Sequence, residues 1–564
     1  MRELPGAERV RSVFPSDERP MRSPHSRQSW LRMLGMLVAP LLAGWAAFAQ
    51  SKDGVAVWTT FEASIETSKA YARPFCDVEV DVLFEQGAKR WKVPAFWSGG
   101  RTWKVRFAPP ESGEYRYTFT SSDASNTEFA APPRTFVATP ATGDNPLLRH
   151  GFLRIAANAR HFEHADGTPF LWLGDTWWKG LCKRLDAAGF AQLCADRAAK
   201  GFNVVQLVCG PYPDENMLEP RWENEAGMPY TTLDFSMMNP AYFDAADARI
   251  AQLVAHGLVP AIVGGWGRPQ AGGRSTIHQV GLDGFKRHWR HLIARYGATP
   301  VVWILGGEAS DGNGPWAELA DYVRAIDPYH HPLTYHAPGD PRSTIQAGNE
   351  RFDFDMVAIG HEGLNTANET LRLLRSSLAR EPARPALCGE ACYERHMQSN
   401  FEDTQRHLFW TLLLSGAAGH TYGAAGIWQA SIEGDPGITP IYDFTTWREG
   451  MSFPGSAQLG LGKRLLEELP WWRLQPHPEW VDSGAFAAGI PSELVVAYLP
   501  KRGLYDWSGF RVLELDPKSH YEAFWFDPAS GRRFPLGTIS TTASWSTPPV
   551  PSPQDWVLVL RTHG

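Results

Sequence analysis

From about residue 150 to about residue 470, short apolar runs alternate with segments whose apolar residues recur at helical spacing. A chain that repeats this pattern buries both kinds of element best as parallel strands covered by helices. Phe170-Leu171-Trp172-Leu173 opens the series, followed by a helix with Phe190, Leu193 and Cys194 on one face and Gly201 at its end. Phe202–Val208 is the second predicted strand. The next helix has Asn239 as its cap, Pro240 at its first position and Gly257 as terminator. Leu258–Val263 is the third strand, and a stripe of Phe285, Trp289, Leu292, Ile293 and Tyr296 leads to the fourth, Val301–Leu305. A helix over Trp316–Ile326 precedes the fifth and sixth, Leu333–Tyr335 and Asp355–Ile359. Helices over Glu369–Leu378 and Gln405–Leu414 precede the seventh, Pro385–Cys388, and the eighth, His420–Tyr422. Eight such units predict a TIM (β/α)8 barrel over residues 150–470. No Gly-x-Gly-x-x-Gly follows a strand, so a dinucleotide-binding sheet is not expected.

The flanks read differently. Residues 51–140 hold short alternating runs such as Cys76–Phe84, Trp103–Phe107 and Tyr115–Phe119, separated by turn-rich segments, which predicts a β-sandwich. Ala138–Asn145 reads as a linker. After Pro470-Trp471-Trp472 the strand pattern returns in Leu494–Leu499, Tyr521–Phe526 and Trp556–Leu560, so a second sandwich is expected over residues 475–564. The fold class is therefore α/β, a TIM barrel between two β-sandwiches. Residues 1–50 read as a cleavable leader with an N-terminal extension. Arg27 and Arg32 precede the apolar run Met33–Ala47, and Ala47-Phe48-Ala49 fits a small-x-small cleavage site. The run falls short of the roughly 20 residues that cross a bilayer, so no membrane span is expected after cleavage. A periplasmic or secreted protein follows.

Charge and cysteines narrow the partners. The formal net charge is −7 without long runs of either sign, which argues against nucleic acid. Six cysteines in 564 residues are too sparse for a disulfide framework. Cys388 and Cys392 are spaced C-x3-C, but no second pair and no spaced histidines complete a zinc set, so buried free thiols are the preferred reading. No metal and no cofactor is expected.

In a TIM barrel the chemistry lies at the carboxyl ends of the strands. Four predicted strands are followed there by carboxylates: Gly174-Asp175-Thr176-Trp177-Trp178, Tyr212-Pro213-Asp214-Glu215-Asn216, Gly306-Gly307-Glu308 and Gly389-Glu390. Strands four and seven stand across the mouth, and in both a Glu follows glycine. Two carboxyl groups facing one glycosidic bond are what its hydrolysis needs, one to protonate the departing oxygen and one to attack or to activate water. Glu308 and Glu390 are therefore the candidate catalytic pair. Trp177, Trp178, Tyr212, Trp266, Tyr422 and Trp428 also fall just beyond strand ends, where flat faces can stack on the apolar side of a sugar ring. Asp175, His336 and His361 are candidates to bind hydroxyls, and Trp289 and Trp410, on helical stripes, read as structural.

Leu173-Gly174-Asp175-Thr176-Trp177-Trp178, Val302-Trp303-Ile304-Leu305-Gly306-Gly307-Glu308 and Gly389-Glu390-Ala391-Cys392-Tyr393-Glu394 resemble the apiosidase-like barrel family of glycoside hydrolases over about residues 150–470. The flanks, marked by Trp58-Thr59-Thr60-Phe61-Glu62, Trp525-Phe526-Asp527-Pro528 and Asp555-Trp556-Val557-Leu558, look like that family's companions, a leading sandwich and a trailing one of the type labelled collagen-binding. The resemblance implies a glycosidase related to the retaining clan with catalytic acids on strands four and seven, and the full expectation is a retaining, exo-acting enzyme on a plant or microbial glycan. Members often carry Gly-Gly-Asp after strand four. This chain has Gly-Gly-Glu, one methylene longer, which points to a sugar other than apiose. Glu390, at the strand end, is preferred to Glu394, four residues into the loop. The rival expectation is a glycan-binding protein with a degenerate, non-catalytic barrel.

Overall fold

The computed structural model describes residues 54–213, 215–266, 276–308, 314–337, 350–358, 360–435, 444–540 and 543–562. The leader expected at residues 1–50 lies outside them, as do Asp214 and Ile359. Eight parallel strands close into a barrel. They are β1 Trp172–Thr176, β2 Val204–Val208, β3 Val259–Val263, β4 Val302–Gly307, β5 Leu333–His336, β6 Asp355–Ala358, β7 Ala386–Glu390 and β8 Gly419–Tyr422. Around them lie α1 Ala187–Ala199, α2 Pro240–Ala255, α3 Leu282–Tyr296, α4 Gly314–Ile326, α5 Leu364–Leu378, α6 Glu402–Leu413 and α7 Pro454–Glu467. The expected signals set the ends of α2. Asn239 Oδ1 accepts from Ala241 N at 3.2 Å, Pro240 opens the helix, and Gly257 at φ +73° ends it.

The first strand differs from expectation. Pro169–Phe170 pairs with Phe162–His164 in a three-stranded antiparallel sheet completed by Leu153–Ile155. Phe162 packs against Trp172 and Phe354, so this sheet lies beneath the lower end of the barrel. The barrel strand therefore runs two residues later than its apolar run suggests. Asp175 and Thr176 fall inside it rather than beyond it.

That shift matters because alternate residues of a strand face opposite sides. On β1, Trp172, Gly174 and Thr176 face the barrel interior: Trp172 Nε1 donates to Thr421 Oγ1 at 3.0 Å, and Gln206 Nε2 donates to Thr176 Oγ1 at 2.9 Å. Asp175 faces the helices, where Arg197 of α1 lies. Two strands break the alternation. The β4–β5 pairing slips between Ile304 and Gly307, and the β6–β7 pairing slips so that Val357 pairs with Cys388 but Ala358 with Glu390. Cys388 faces outward among Ala367, Leu374, Leu408 and Leu412. Glu390, two residues on, would face outward as well were Gly389 not bulged.

Both sandwiches are bound to the barrel by buried arginines. The leading one pairs a five-stranded sheet with a three-stranded sheet around Phe61, stacked on Phe136 at 4.0 Å. Its Arg106 donates to Glu62 at 2.9 Å within the sandwich, to Asp247 of α2 at 2.7 Å and to the Arg295 carbonyl of α3 at 3.0 Å. The trailing sandwich has a six-stranded antiparallel sheet and a two-stranded one. Its Asp555 receives both arms of Arg406 from α6, at 2.7 and 2.8 Å, and the two side chains are almost fully buried. All six cysteines are free, five of them buried. Among the described residues no helix is long and apolar enough to cross a membrane.

Removing one partner of a buried pair leaves the other charge without compensation, at about 3–5 kcal/mol. Arg406→Ala is expected to lower the thermal midpoint by several degrees, with the trailing sandwich losing protection first in hydrogen exchange. An unchanged midpoint would mean that the pair does not fasten the two parts.

Candidate functional site

The two bulged strands deliver Glu308 and Glu390 to the upper rim, and His336, at the end of β5, joins them. Its carbonyl accepts from Glu308 N at 2.9 Å, and its Nε2 lies 3.1 Å from Glu390 Oε2. Glu308 itself takes a left-handed φ of +49°, uncommon for a residue with a side chain and of a kind that collects at functional sites. His361 approaches Glu390 from the other side, with Nε2 3.2 Å from Oε1. Its Nδ1 accepts from Tyr393 N at 3.1 Å, so in the neutral ring the proton sits on Nε2 and is donated to Glu390. Asn400 Nδ2 donates to the His361 carbonyl at 2.8 Å and fixes that segment.

Glu390 is consequently held as a carboxylate. Burial pushes its pKa up, but the two imidazoles outweigh burial and hold it well below the usual carboxylate range. Tyr393 turns its buried phenol toward Glu390, Thr176 and Trp178, and burial pushes that phenol far up. Trp178 and Trp266 complete the lining, 5.0 Å apart edge to face, each about 5 Å from the His336 ring. Trp266 lies on Gly307, where a methyl group would run into its ring. Beneath them Gln206 Nε2 donates to the Gly389 carbonyl at 2.7 Å, tying the β7 bulge to the neighbouring interior.

The structure brings together Glu308, Glu390, Trp178, Trp266, His336 and His361. Trp428 stands behind Tyr393, at 6.3 Å. Four expected sugar-binding residues lie elsewhere. Asp175, fully buried, accepts from Trp177 Nε1 at 2.7 Å, Arg197 Nε at 2.6 Å and Thr176 N at 2.8 Å, so its carboxylate is spent on the α1 side of the sheet. Trp177 shares that outward side, edge-on to Phe190. Tyr422 also faces outward, donating to Glu394 Oε2 at 2.6 Å. Tyr212 packs on Trp222 and Tyr242 in the loop after β2. Glu394, buried, accepts from Tyr422 and from Gly455 N at 3.1 Å, and burial raises its pKa. That removes it as a competitor of Glu390. Sequence reasoning missed Tyr393 and Gln206. Gln206 did leave a signal, as a polar residue in the middle of the apolar run Val204–Val208.

The model of the apiosidase-like catalytic domain matches residues 156–473, more than half of the chain. The chain belongs to the apiosidase-like family. Residues 54–122 match a domain of unknown function. A Bacteroides vulgatus protein provisionally assigned as a glycoside hydrolase has the same fold at 18% identity and a TM-score of 0.68, over 90% of this chain and 99% of that one. A family 5 glycoside hydrolase from the same organism aligns at 21% identity and a TM-score of 0.62, over 75% of this chain and 96% of that one. No curated protein matches. Family and fold together make this apiosidase-like chain a glycoside hydrolase.

Two outcomes follow from the packing around Glu390. Gly307→Ala forces Trp266 off its seat and should cost about 1–3 kcal/mol, read as a lower thermal midpoint with altered tryptophan fluorescence. A carboxyl held below its unfolded value adds stability above that unfolded value, about 4.3 for Glu, and loses it as pH falls through the folded value. His361→Ala lets burial raise the Glu390 value. The wild type should therefore exceed this variant in thermal midpoint most at neutral pH, and the gap should narrow in acid as Glu390 becomes protonated first in the variant and then in the wild type. A gap independent of pH would contradict this account.

Proposed function

We propose that this apiosidase-like enzyme hydrolyses a glycoside with retention, using Glu390 as nucleophile and Glu308 as acid and base. The supporting observation is the carboxylate of Glu390, kept ionised at the mouth by His336 and His361, with His336 also holding the backbone of Glu308. Glu390 attacks the anomeric carbon as the bond to the leaving oxygen breaks, and Glu308 gives that oxygen its proton. A water then loses a proton to Glu308 and attacks the same carbon, releasing the sugar and restoring both groups. Trp178 and Trp266 offer aromatic faces for the sugar, and Tyr393 a phenol for a hydroxyl or for Glu390.

Exo action on the end of a plant or microbial glycan suits the packing of this lining. Trp178 and Trp266 lean on one another, and Glu390 keeps only 13% of its side chain exposed, as a pocket for one terminal sugar requires. The Gly-Gly-Glu sequence, with its longer acid, favours a sugar other than apiose. The enzyme is proposed to act in the periplasm or outside the cell, after removal of the leader read in residues 1–50.

Glu390→Ala should lower kcat on an aryl glycoside by roughly a thousandfold or more, and Glu308→Gln by about 10²–10⁴-fold on poor leaving groups. NMR of the first product formed should show the anomer of the substrate. An inverted product would replace the double displacement by direct attack of water. Near-full hydrolysis by Glu390→Ala would remove it from the reaction, and glycan binding without turnover in the wild type would favour a non-catalytic barrel.

A further inference from the structure

A second cleft lies at the opposite end of the barrel. Leu171 precedes β1 and Ala417-Ala418 precede β8, so a site they line is at the amino-terminal face, across the barrel from Glu390. The cleft has a volume of about 370 Å³, within the range of small-ligand sites. The end of α5, the loop before β8 and the one-turn helix Trp471–Arg473 wall it, and the first strand of the trailing sandwich, Gln475–Pro476, closes one side.

Its chemistry is unusual for a mere seam between domains. Arg160 and Arg375, both exposed, line it, and among the described residues neither forms an ion pair, although Arg160 donates to the Leu378 carbonyl at 3.4 Å. Nearby arginines are paired: Arg372, three residues before Arg375, with Glu369, and Arg473, next to Trp472, with both oxygens of Glu493 at 2.9 and 3.0 Å. Trp471 and Trp472 stand nearly perpendicular, 6.1 Å apart, and Trp472 is 41% exposed. His161 is only 7% exposed, lies edge-on to Trp471 at 5.8 Å, and leaves its buried Nδ1 without a partner. A buried polar atom without a hydrogen bond is costly and is normally satisfied by a protein group, by water or by a bound ligand.

We propose that this cleft is a second glycan site, separate from the catalytic mouth, that takes a uronate-bearing oligosaccharide. The two guanidinium groups recognise the sugar carboxylate, the face of Trp472 stacks on the ring, and His161 Nδ1 bonds a hydroxyl. The glycan class rests on the barrel being a glycosidase, and the acidic sugar rests on the arginines. Such a site holds the enzyme on an acidic polymer while the mouth, on the far face, works on chain ends nearby.

The test is calorimetric titration of the whole protein with a uronate trimer, trigalacturonate, and with its uncharged methyl ester. The acid should bind one equivalent at the cleft. Arg375→Gln and Trp472→Ala should each weaken binding about tenfold or more, and the ester should bind as weakly as the acid does to Arg375→Gln. Both variants should keep the wild-type thermal midpoint and wild-type hydrolysis of a small aryl glycoside, and Glu390→Ala should bind the trimer like the wild type. Binding that is absent, that survives both cleft substitutions, or that is equal for acid and ester overturns the proposal. So does tighter binding of a glutamate peptide, which would make the cleft a protein-docking site. Loss of trimer binding in Glu390→Ala alone would assign it to the mouth. Failure of the catalytic reading would appear instead as undiminished hydrolysis by Glu390→Ala.

Discussion

A strand in a closed barrel cannot choose which way its side chains face, and the site depends on where that rule is kept and where it is broken. Alternation sends Asp175, Trp177 and Tyr422 to the helix side and Thr176 and Trp178 to the interior. The two strands that carry Glu308 and Glu390 slip in register at glycine, and only through such a slip can Glu390 depart from the outward facing of Cys388. Gln206 holds the displaced Gly389 carbonyl, so the interior of β2 stabilises the irregularity on β7. The glycines before each Glu thus have a geometric task beyond letting a substrate approach. They reset the direction of the side chain that follows.

This explains what could be read in the sequence. The order of the barrel strands and of α1 to α6, the cap of α2 and the strand-rich flanks follow from hydrophobic period and turn residues, which are local properties, whereas α7 is not among the elements so read. Glu308 and Glu390 could be found because a strand end and a glycine are visible in a linear string. Asp175 and Trp177 were misplaced because the apolar run Phe170–Leu173 suggests a strand ending before them, whereas Phe170 belongs to the sheet beneath the barrel. A shift of two residues moved Asp175 from the rim into the wall. Tyr393 left no such trace, since its approach to Glu390 depends on the fold of the β7 loop and on His361, from the segment after β6.

The arginines divide into two populations by what surrounds them. Arg106, Arg197 and Arg406 are buried with carboxylates and carbonyls placed for them, and they join secondary elements from different parts of the chain. Such pairs gain little over apolar packing but are costly to break singly, so they act more as keys for correct assembly than as sources of stability. Arg160 and Arg375 are exposed and, among the described residues, have no carboxylate placed for them, although they stand at an equally structural junction between barrel and sandwich.

The loop after Glu390 contains Cys392, Arg395, Met397, Gln398 and Asn400 in left-handed backbone conformations, at φ between +47° and +60°. Gln405 holds it by donating to the carbonyl of Cys392, and Glu394 by accepting from Gly455 N. Side chains branched at Cβ resist that conformation, while glycine and asparagine accept it readily. Variation among descendants of this gene should therefore be filtered by backbone before chemistry, with valine, isoleucine and threonine purged from those five positions. New substrate preferences would then arise more readily on the walls formed by β1 and β3, leaving the β7 segment as the slowest-drifting part of the rim.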